Sequence, residues 1–232
     1  MPALTSDALN TSEICRRMIE RNPNTIRVQK ERMALPKLIR IVEATLQLSR
    51  RQGFHATSLR ELAAEAGMSM GGLYAYFDSK NSLLRMMITE VSNTIVEYLK
   101  DAPDEIIADP REHLNWLIRT HVEVTDRMHN WFAFSYMEVR FFAQEERDLA
   151  LDGELATEKI FASVLQVGVD KGCFNIDDVN LTAALLKPLL QDWYVKHGKY
   201  RRRRISARQY ADAIIDLVDR AYSSASCLSL RT

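Results

Sequence analysis

The sequence contains little cysteine and has no long uninterrupted stretch of apolar residues. Cys15, Cys173 and Cys227 lie far apart in a chain of 232 residues, and their odd number and spacing fit neither a disulfide framework nor a zinc site. Even the apolar stretch 181–190 is interrupted by a lysine and a proline. A membrane helix needs about 18 consecutive apolar residues, and the N-terminus lacks the apolar core of a signal peptide. We therefore expect a cytoplasmic protein with no membrane partner.

The motifs of catalysis and metal binding are also missing. We find no phosphate-binding glycine loop, no HExxH motif and no nucleophile motif, so we expect no enzymatic activity and no cofactor. His113, His121 and His129 are spaced by eight residues, which on a helix is about 12 Å and too far to share a metal ion. Because catalytic triads are spatial and not sequential, an enzyme on the same fold stays a less favoured alternative.

Charge is balanced overall but uneven along the chain. Basic and acidic side chains number 31 each. Residues 1–85 contain 13 basic and 8 acidic side chains, whereas residues 86–232 contain 18 and 23. A basic N-terminal part is typical of binding to a polyanion such as DNA, although an excess of this size also suits a solvated surface.

The pattern of apolar residues predicts an all-α protein, because no segment shows the sustained alternation of a strand. A short helix is predicted over 13–20, and the next has Pro36 in its first turn and ends at Gly53. Ser69 is a predicted helix cap, and so is Asp109, which is followed by Pro110 at the first helical position. Such caps, with glycines and prolines, predict the remaining helices over 59–66, 70–76, 80–100, 110–128, 131–145, 152–171, 178–197 with a kink at Pro188, and from 206 onward.

Residues 57–80, TSLRELAAEAGMSMGGLYAYFDSK, have the pattern of a helix, a short turn and a second helix. Ser58 followed by Glu61 forms a capping box, and Gly67 permits the left-handed backbone of a tight turn. Leu73 gives the second helix an inward face. Since this helix is too short to be stable alone, packing must hold it while its outer face and leading end enter the major groove.

The segment from Leu38 to Met87 resembles the DNA-binding domain of the TetR family of transcriptional regulators. The resemblance is carried by RIVEATLQLSRRQGFHATSLRELAAEAGMSMGGLYAYFDSKNSLLRMM, with its GF-x-x-TS joint, A-x-x-AG-x-S turn and G-x-LY-x-YF-x-SK run. It implies three parts: an N-terminal extension (1–34), a three-helix helix-turn-helix domain (35–84) and a helical ligand-binding and dimerisation bundle (85–232). The family often has lysine at the position of Met70 and threonine or alanine at that of Gly72, so we expect fewer direct contacts to bases and phosphates from the recognition helix. It commonly has an aromatic at the position of Ser49, so we expect a slightly loose domain.

Geometry and resemblance together assign the contacts to double-stranded DNA. Tyr74 and Lys80 are expected to bind phosphates, although a core aromatic and a solvated charge are the alternatives. Three hydroxyls at helix N-termini add phosphate contacts, and four residues approach base edges. Tyr76 and Phe77 are interpreted as packing residues. The predicted DNA-binding residues are Thr57, Ser58, Ser69, Met70, Gly71, Gly72, Tyr74, Ala75 and Lys80.

A basic segment precedes the motif. It is either an arm that reaches phosphates or the minor groove, or a tail without such a role. Its members are Arg27, Lys30, Arg32, Lys37 and Arg40.

In the family that the motif resembles, the rear domain binds a small molecule and forms the dimer. Aromatic and methionine side chains here are either core or ligand pocket. The pocket candidates are Trp116, Met128, Phe132, Met137, Phe141 and Phe161. Few charges interrupt this set, and the run 192–206 resembles members tied to lipid metabolism, so the expected effector is apolar or amphipathic, such as a fatty acid, an acyl-CoA or a hydrophobic compound.

The last two long helices are expected to form a four-helix interface in a homodimer, unless their apolar faces are intramolecular core. The residues on those faces are Leu181, Leu185, Leu189, Ile214, Leu217 and Val218. Together these features predict a ligand-responsive repressor that binds a palindromic operator as a dimer. An activator, or a regulator controlled by a partner protein, is the alternative.

Overall fold

The computed structural model describes residues 9–28 and 31–224, and nearly all regular structure in this part of the chain is helical. The only β pairing within it is an isolated bridge between Phe174 and Ser223, which confirms the predicted all-α class. The helices are α1 Thr11–Arg21, α2 Glu31–Gln52, α3 Leu59–Glu65, α4 Met70–Leu73, α5 Lys80–Lys100, α6 Asp104–Ile107, α7 Pro110–Arg127, α8 His129–Glu138, α9 Gln144–Asp170, α10 Val179–Val195, α11 His197–Arg202 and α12 Ala207–Tyr222, with a 3-10 turn at Val139–Phe141.

The helices pack into two units. Unit 1 contains the chain up to Ser92 together with Asn130–Leu151, and unit 2 contains Asn93–His129 together with the chain from Asp152 onward. The three parts that the resemblance implies, 1–34, 35–84 and 85–232, stay a prediction. Packing adds a later stretch, 130–151, to the unit that holds the helix-turn-helix.

Helix α1 is an integral part of unit 1. Asn10 caps it by accepting a hydrogen bond from the Glu13 amide at 2.8 Å, and the helix packs its apolar side against α2. Two arginines of α1, Arg17 and Arg21, reach the buried carboxylate of Glu90 on α5 at 3.0 and 2.9 Å. The apolar residues that α1 buries are Ile14, Cys15 and Met18.

Helix α2 begins earlier than its sequence predicts. We placed Pro36 in the first turn, but the helix starts at Glu31, so Pro36 lies inside it and that boundary is wrong. A proline within a helix forfeits one backbone hydrogen bond. The extra turn is stabilised by packing against α1, because Ala34 is fully buried there and Glu31 pairs with Arg16 of α1 at 3.2 Å.

Unit 2 is arranged around α7, which packs against α6, α10 and α12. As predicted, Asp109 caps α7, accepting from the Arg111 amide at 2.8 Å, and Pro110 occupies the first position. Asp178 caps α10 and a capping box at Ser206 begins α12, at the two positions where the sequence predicted these helices to start. The core on α7 comprises Leu114, Leu117, Ile118, Val122 and Val124.

Three other predicted helices have different bounds in the structure. The helix predicted over 131–145 ends at Glu138, and the helix predicted to start at Asp152 starts at Gln144. The break lies at Phe142, which is buried and extended, so its backbone cannot continue a helix. The helix predicted over 178–197 divides into α10 and α11 around Lys196. In the part of the chain that the structure describes, no helix is long and apolar enough to span a membrane.

Candidate nucleic-acid interface

Helices α3 and α4 form the helix-turn-helix. Ser58 caps α3, and the capping box is complete, because the Ser58 hydroxyl accepts from the Glu61 amide at 3.2 Å and the Glu61 carboxylate accepts from the Ser58 amide at 2.7 Å. Ser69 caps α4 by accepting from the Gly72 amide at 3.1 Å. The α-helix of α4 ends at Leu73, and 74–76 continue as a turn, so it is shorter than the predicted 70–76.

Gly67 makes the turn between the two helices possible. Its φ is +61°, in the left-handed region that side chains disfavour. A Cβ at this position would lie 2.4 Å from a guanidinium nitrogen of Arg40, because Arg40 donates to the Gly67 carbonyl at 2.6 Å. The Met68 amide also donates to the Ala63 carbonyl at 2.9 Å. Arg40, predicted as part of a DNA-binding arm, therefore holds the turn.

The residues from Ser69 to Ala75, called the recognition segment below, are held in position by the buried inner face of α4 and of the turn that follows it. Leu73, Tyr76 and Phe77 are buried, as is Leu62 of α3. These contacts hold a helix of four residues that could not be stable in isolation. The prediction that Tyr76 and Phe77 pack inside is confirmed.

The opposite face is open and nearly free of charge. Ser69 and Gly71 are exposed, Tyr74 is 42% exposed, and Met70, Gly72 and Ala75 are half-buried. A Cβ built at Gly71 meets nothing within 4 Å. Six of the nine predicted DNA-binding residues thus share one surface, which offers hydroxyl, methyl and thioether groups to a partner.

Ser58 is exposed at the N-terminus of α3, but two other predicted contact residues point inward. The Thr57 side chain is buried, and its hydroxyl donates to the Gly53 carbonyl at 3.1 Å. The Lys80 ammonium donates to the carbonyls of His55 at 2.9 Å and Thr57 at 2.7 Å. It also lies 4.7 Å from the centroid of the Phe54 ring, and its burial lowers the pKa of Lys80. Lys80 thereby fastens the start of α5 to the loop before α3.

The segment before α2 contacts the end of the recognition segment. The Arg27 amide donates to the Ala75 carbonyl at 2.9 Å, and the Arg27 side chain pairs with Asp78 at 2.5 Å. Arg32 and Lys37 are exposed on α2, while Lys30 lies outside the described residues. One predicted arm residue, Arg27, is thus docked beside the recognition segment.

Sequence reasoning missed the residue that holds the loop between α2 and α3. Glu138, at the end of α8, is buried and accepts from the Ser49 hydroxyl at 2.6 Å and from the amides of Phe54 at 2.8 Å and His55 at 3.2 Å. Burial raises the pKa of Glu138, but these hydrogen bonds outweigh burial and hold it below its ordinary value. Ser49, which was expected to leave the domain slightly loose, instead links α2 to Glu138 of α8 through this hydrogen bond. The one feature of the sequence that could have indicated this role is the presence of a glutamate in an aromatic-rich helix.

Two of the predicted ligand-pocket residues line a cavity of about 380 Å³ in unit 1. Met137 and Phe141 are half-exposed there, and the Phe141 ring stacks on His55 with centroids 3.7 Å apart. Phe132 belongs to the same unit but is buried, whereas Trp116, Met128 and Phe161 belong to unit 2. The six candidates therefore do not form one cluster within a single unit.

The predicted dimer residues divide into two groups. Leu181, Leu185 and Leu189 follow one another at four-residue intervals on α10 and are 56%, 57% and 38% exposed; Leu217 on α12 is also exposed. Ile214 and Val218 are buried on the side of α12 that belongs to the core of unit 2, where the helix packs against α7. The described residues contain no group of three potential metal ligands.

Comparisons with known proteins agree with this geometry. The profile of bacterial regulatory proteins of the tetR family matches residues 41–87, and that of the tetracyclin repressor-like C-terminal domain matches residues 108–218. The HTH-type transcriptional repressor KstR2 of Rhodococcus jostii (strain RHA1) is 33% identical over 184 residues, which cover 75% of this chain and 86% of that protein. The HTH-type transcriptional regulator HbdR of Aromatoleum sp. (strain CIB) is 24% identical over 191 residues, or 79% of this chain and 82% of that one.

Solved structures show the same fold. FadR of Bacillus subtilis in complex with stearoyl-CoA superposes with a TM-score of 0.63 at 19% identity, over 78% of this chain and 96% of that one. The ketosteroid transcriptional regulator KstR2 of Mycobacterium tuberculosis gives 0.65 at 20% identity, over 86% and 98%. With a helix-turn-helix in place and a 33% identical relative aligned over most of its length, the chain belongs to the TetR family, a family of transcriptional regulators and not of enzymes.

Proposed function

We propose that this chain is a repressor that binds a palindromic DNA operator as a homodimer and releases it when an apolar or amphipathic ligand binds. Its place of action is the cytoplasm, where chromosomal DNA is found in bacteria. The observation that carries the proposal is the exposed face from Ser69 to Ala75, supported from behind by fully buried Leu73 and Phe77. Such a rigid, open edge fits the major groove, where direct base contacts specify sequence.

The contacts with DNA divide by exposure. Tyr74 and Ser69 offer hydroxyl groups to phosphates, and Ser58 adds another at the start of α3. Met70, Gly71, Gly72 and Ala75 approach base edges, where Met70 offers only apolar contact, for example to a thymine methyl. Thr57 and Lys80 support the loop from inside, and the third N–H of Lys80 is the group left for a phosphate.

The dimer interface is proposed on the exposed leucines. Leu181, Leu185 and Leu189 form a stripe along α10, and Leu217 lies on α12, so an isologous pairing of these helices removes four large apolar side chains per chain from water. Two recognition segments must then meet successive major grooves about 34–36 Å apart. A ligand that favours another separation lowers DNA affinity by its differential binding to the two states.

The class of effector is supported by relatives. FadR of Bacillus subtilis was crystallised with stearoyl-CoA, and KstR2 of Mycobacterium tuberculosis is a ketosteroid regulator. Both names point to apolar or amphipathic molecules, in agreement with the aromatic and methionine side chains of 116–161. We propose an effector of this kind for this chain.

The test is selection of bound fragments from random DNA, followed by titration of the selected site at two salt concentrations. The expected result is a palindrome whose half-sites are one helical turn, or a multiple of it, apart. Tyr74→Phe is expected to weaken binding about threefold to tenfold without changing thermal stability, whereas Tyr136→Phe, on a half-exposed tyrosine of α8, leaves binding unchanged. Binding that is indifferent to sequence and steeply salt-dependent contradicts the proposal.

A further inference from the structure

Unit 2 contains a buried lysine whose polar partner is a histidine. Lys187 of α10 is 7% exposed, and its Nζ lies 3.4 Å from Nε2 of His121 on α7, whose side chain is fully buried. Phe161 of α9 meets the imidazole edge to face, with ring centroids 6.4 Å apart. Phe161 is one of the predicted ligand-pocket residues. The pair therefore lies among side chains that the sequence associates with effector binding.

The hydrogen-bonding capacity of this pair is largely unused. An ammonium has three N–H groups, and within the described chain the imidazole is the only group at hydrogen-bond distance from Lys187. Burial, and then the charge of Lys187, lowers the pKa of His121 well below its ordinary value, so the ring is neutral. When Nε2 accepts from Lys187, Nδ1 carries the proton, and Nδ1 is buried without a hydrogen-bond partner among the described residues.

The carboxylates of the chain near Lys187 do not provide its buried ammonium with a contacting counterion. Burial lowers the pKa of Lys187 to about 8, while the nearby charges of Glu154 and Glu158 oppose that shift, so Lys187 is mostly protonated at neutral pH. Both carboxylates act on Lys187 through their charge and without a hydrogen bond to it, and Glu154 accepts instead from the Gln191 side-chain amide at 2.5 Å. A buried cation whose one contact is a neutral imidazole, with no carboxylate beside it, is costly, and a ligand is one ordinary explanation for such a group.

We propose that the Lys187 ammonium binds the carboxylate of an apolar acid as its counterion, and that His121 positions this ammonium by accepting from it at Nε2. This rests on the proposed function, because it names the chemistry of the effector. Leu186 and Leu190 are buried beside Lys187, so an apolar ligand body with one anionic group fits these surroundings. A coenzyme A thioester has no free carboxylate on its acyl chain and gains nothing from this pair.

The test compares laurate, lauryl alcohol and lauroyl-CoA by calorimetric titration. The wild-type chain is compared with Lys187→Met, His121→Leu and a control, Lys159→Met, which removes an exposed lysine of α9. We expect laurate to bind the wild-type chain and the control equally. Lys187→Met is expected to weaken laurate binding by roughly tenfold to a hundredfold, as for loss of a charged hydrogen bond, and His121→Leu by less. Lauryl alcohol is expected to bind all four proteins alike.

Folding is followed by circular dichroism. Replacing a buried charge by an apolar residue of similar size is often neutral or stabilising, so Lys187→Met is expected to melt no lower than the wild-type chain. If Lys187→Met does unfold, the smaller loss of laurate affinity expected in His121→Leu still tests the proposal. Equal laurate affinity in Lys187→Met and wild type, tighter binding of lauryl alcohol or lauroyl-CoA than of laurate, or no laurate binding at all would each overturn the proposal. The operator titration on the same samples reports separately whether the proposed function holds.

Discussion

Replacing Glu138 by glutamine tests whether this carboxylate holds the helix-turn-helix loop. Glu138 accepts hydrogen bonds from the Ser49 hydroxyl and from the amides of Phe54 and His55, at 2.6, 2.8 and 3.2 Å. Glutamine keeps one acceptor oxygen and replaces the other by an NH₂ group that cannot accept. One of the two backbone amides therefore loses its acceptor, and the remaining bonds lose the help of the negative charge.

The expected loss is about 3 kcal/mol. An unsatisfied buried donor costs about 1–3 kcal/mol, and hydrogen bonds to a charged group contribute about 1.5–3 kcal/mol, compared with about 1 kcal/mol between neutral groups. Because about 1.4 kcal/mol corresponds to a factor of ten, amide exchange at Phe54 and His55 is expected to accelerate by somewhat more than about a hundredfold in Glu138→Gln. The unfolding temperature of unit 1 is expected to fall in the same variant.

The matched control is Glu145→Gln, because Glu145 is exposed and pairs with Arg85 on the surface at 2.7 Å. Its exchange and melting are expected to stay near wild type, as for other exposed ion pairs. If amides 54 and 55 exchange at the wild-type rate in Glu138→Gln, or if the control slows or accelerates them equally, the carboxylate does not hold this loop.

The pH dependence gives a second check with a definite sign. The hydrogen bonds hold the pKa of Glu138 below its ordinary value of 4.5. A carboxyl whose folded pKa is depressed contributes stability that is fully present above its unfolded pKa and is lost as pH falls through the folded value. The difference in stability between wild type and Glu138→Gln is therefore expected to be constant above pH 4.5 and to shrink below it. A difference that grows on acidification contradicts this reasoning.

Three further substitutions test the fold around the candidate interface. Gly67→Ala is expected to cost about 1–2 kcal/mol in urea unfolding, because its φ is +61° and the new Cβ meets a guanidinium, whereas Gly71→Ala, with open space around it, is expected to be neutral. Lys80→Gln is expected to lower the free energy of unfolding by about 1–3 kcal/mol relative to the control Lys100→Gln, because it removes the ammonium that donates to two loop carbonyls. If the substitution changes only the salt dependence of DNA binding, by about one unit in the slope of log K against log salt concentration, Lys80 binds a phosphate instead. Glu90→Gln is expected to lose about 3 kcal/mol by melting, since it breaks a buried carboxylate pairing with two arginines of α1, and an unchanged melting temperature would show that α1 is dispensable.

The sequence alone determined the local features of this protein. Ser58 with Glu61, the left-handed Gly67, the Ser69 cap and the Asp109-Pro110 start of α7 were all predicted, because each depends on residues within four positions of one another. Short-range interactions of this kind can be predicted from the order of residues alone. It identified the helix-turn-helix and with it the family.

Tertiary structure decided what depends on distant partners. The start of α2 five residues before Pro36 depends on packing against α1, and the inward direction of Lys80 depends on carbonyls more than twenty residues earlier. Glu138 reaches the loop after α2 across 84 residues of sequence. Such contacts depend on which helices become neighbours, and helix periodicity specifies which face is apolar but not what that face meets. The same limit applies to α12, where one apolar stripe divides into buried Ile214 and exposed Leu217 only once the helix has packed against α7.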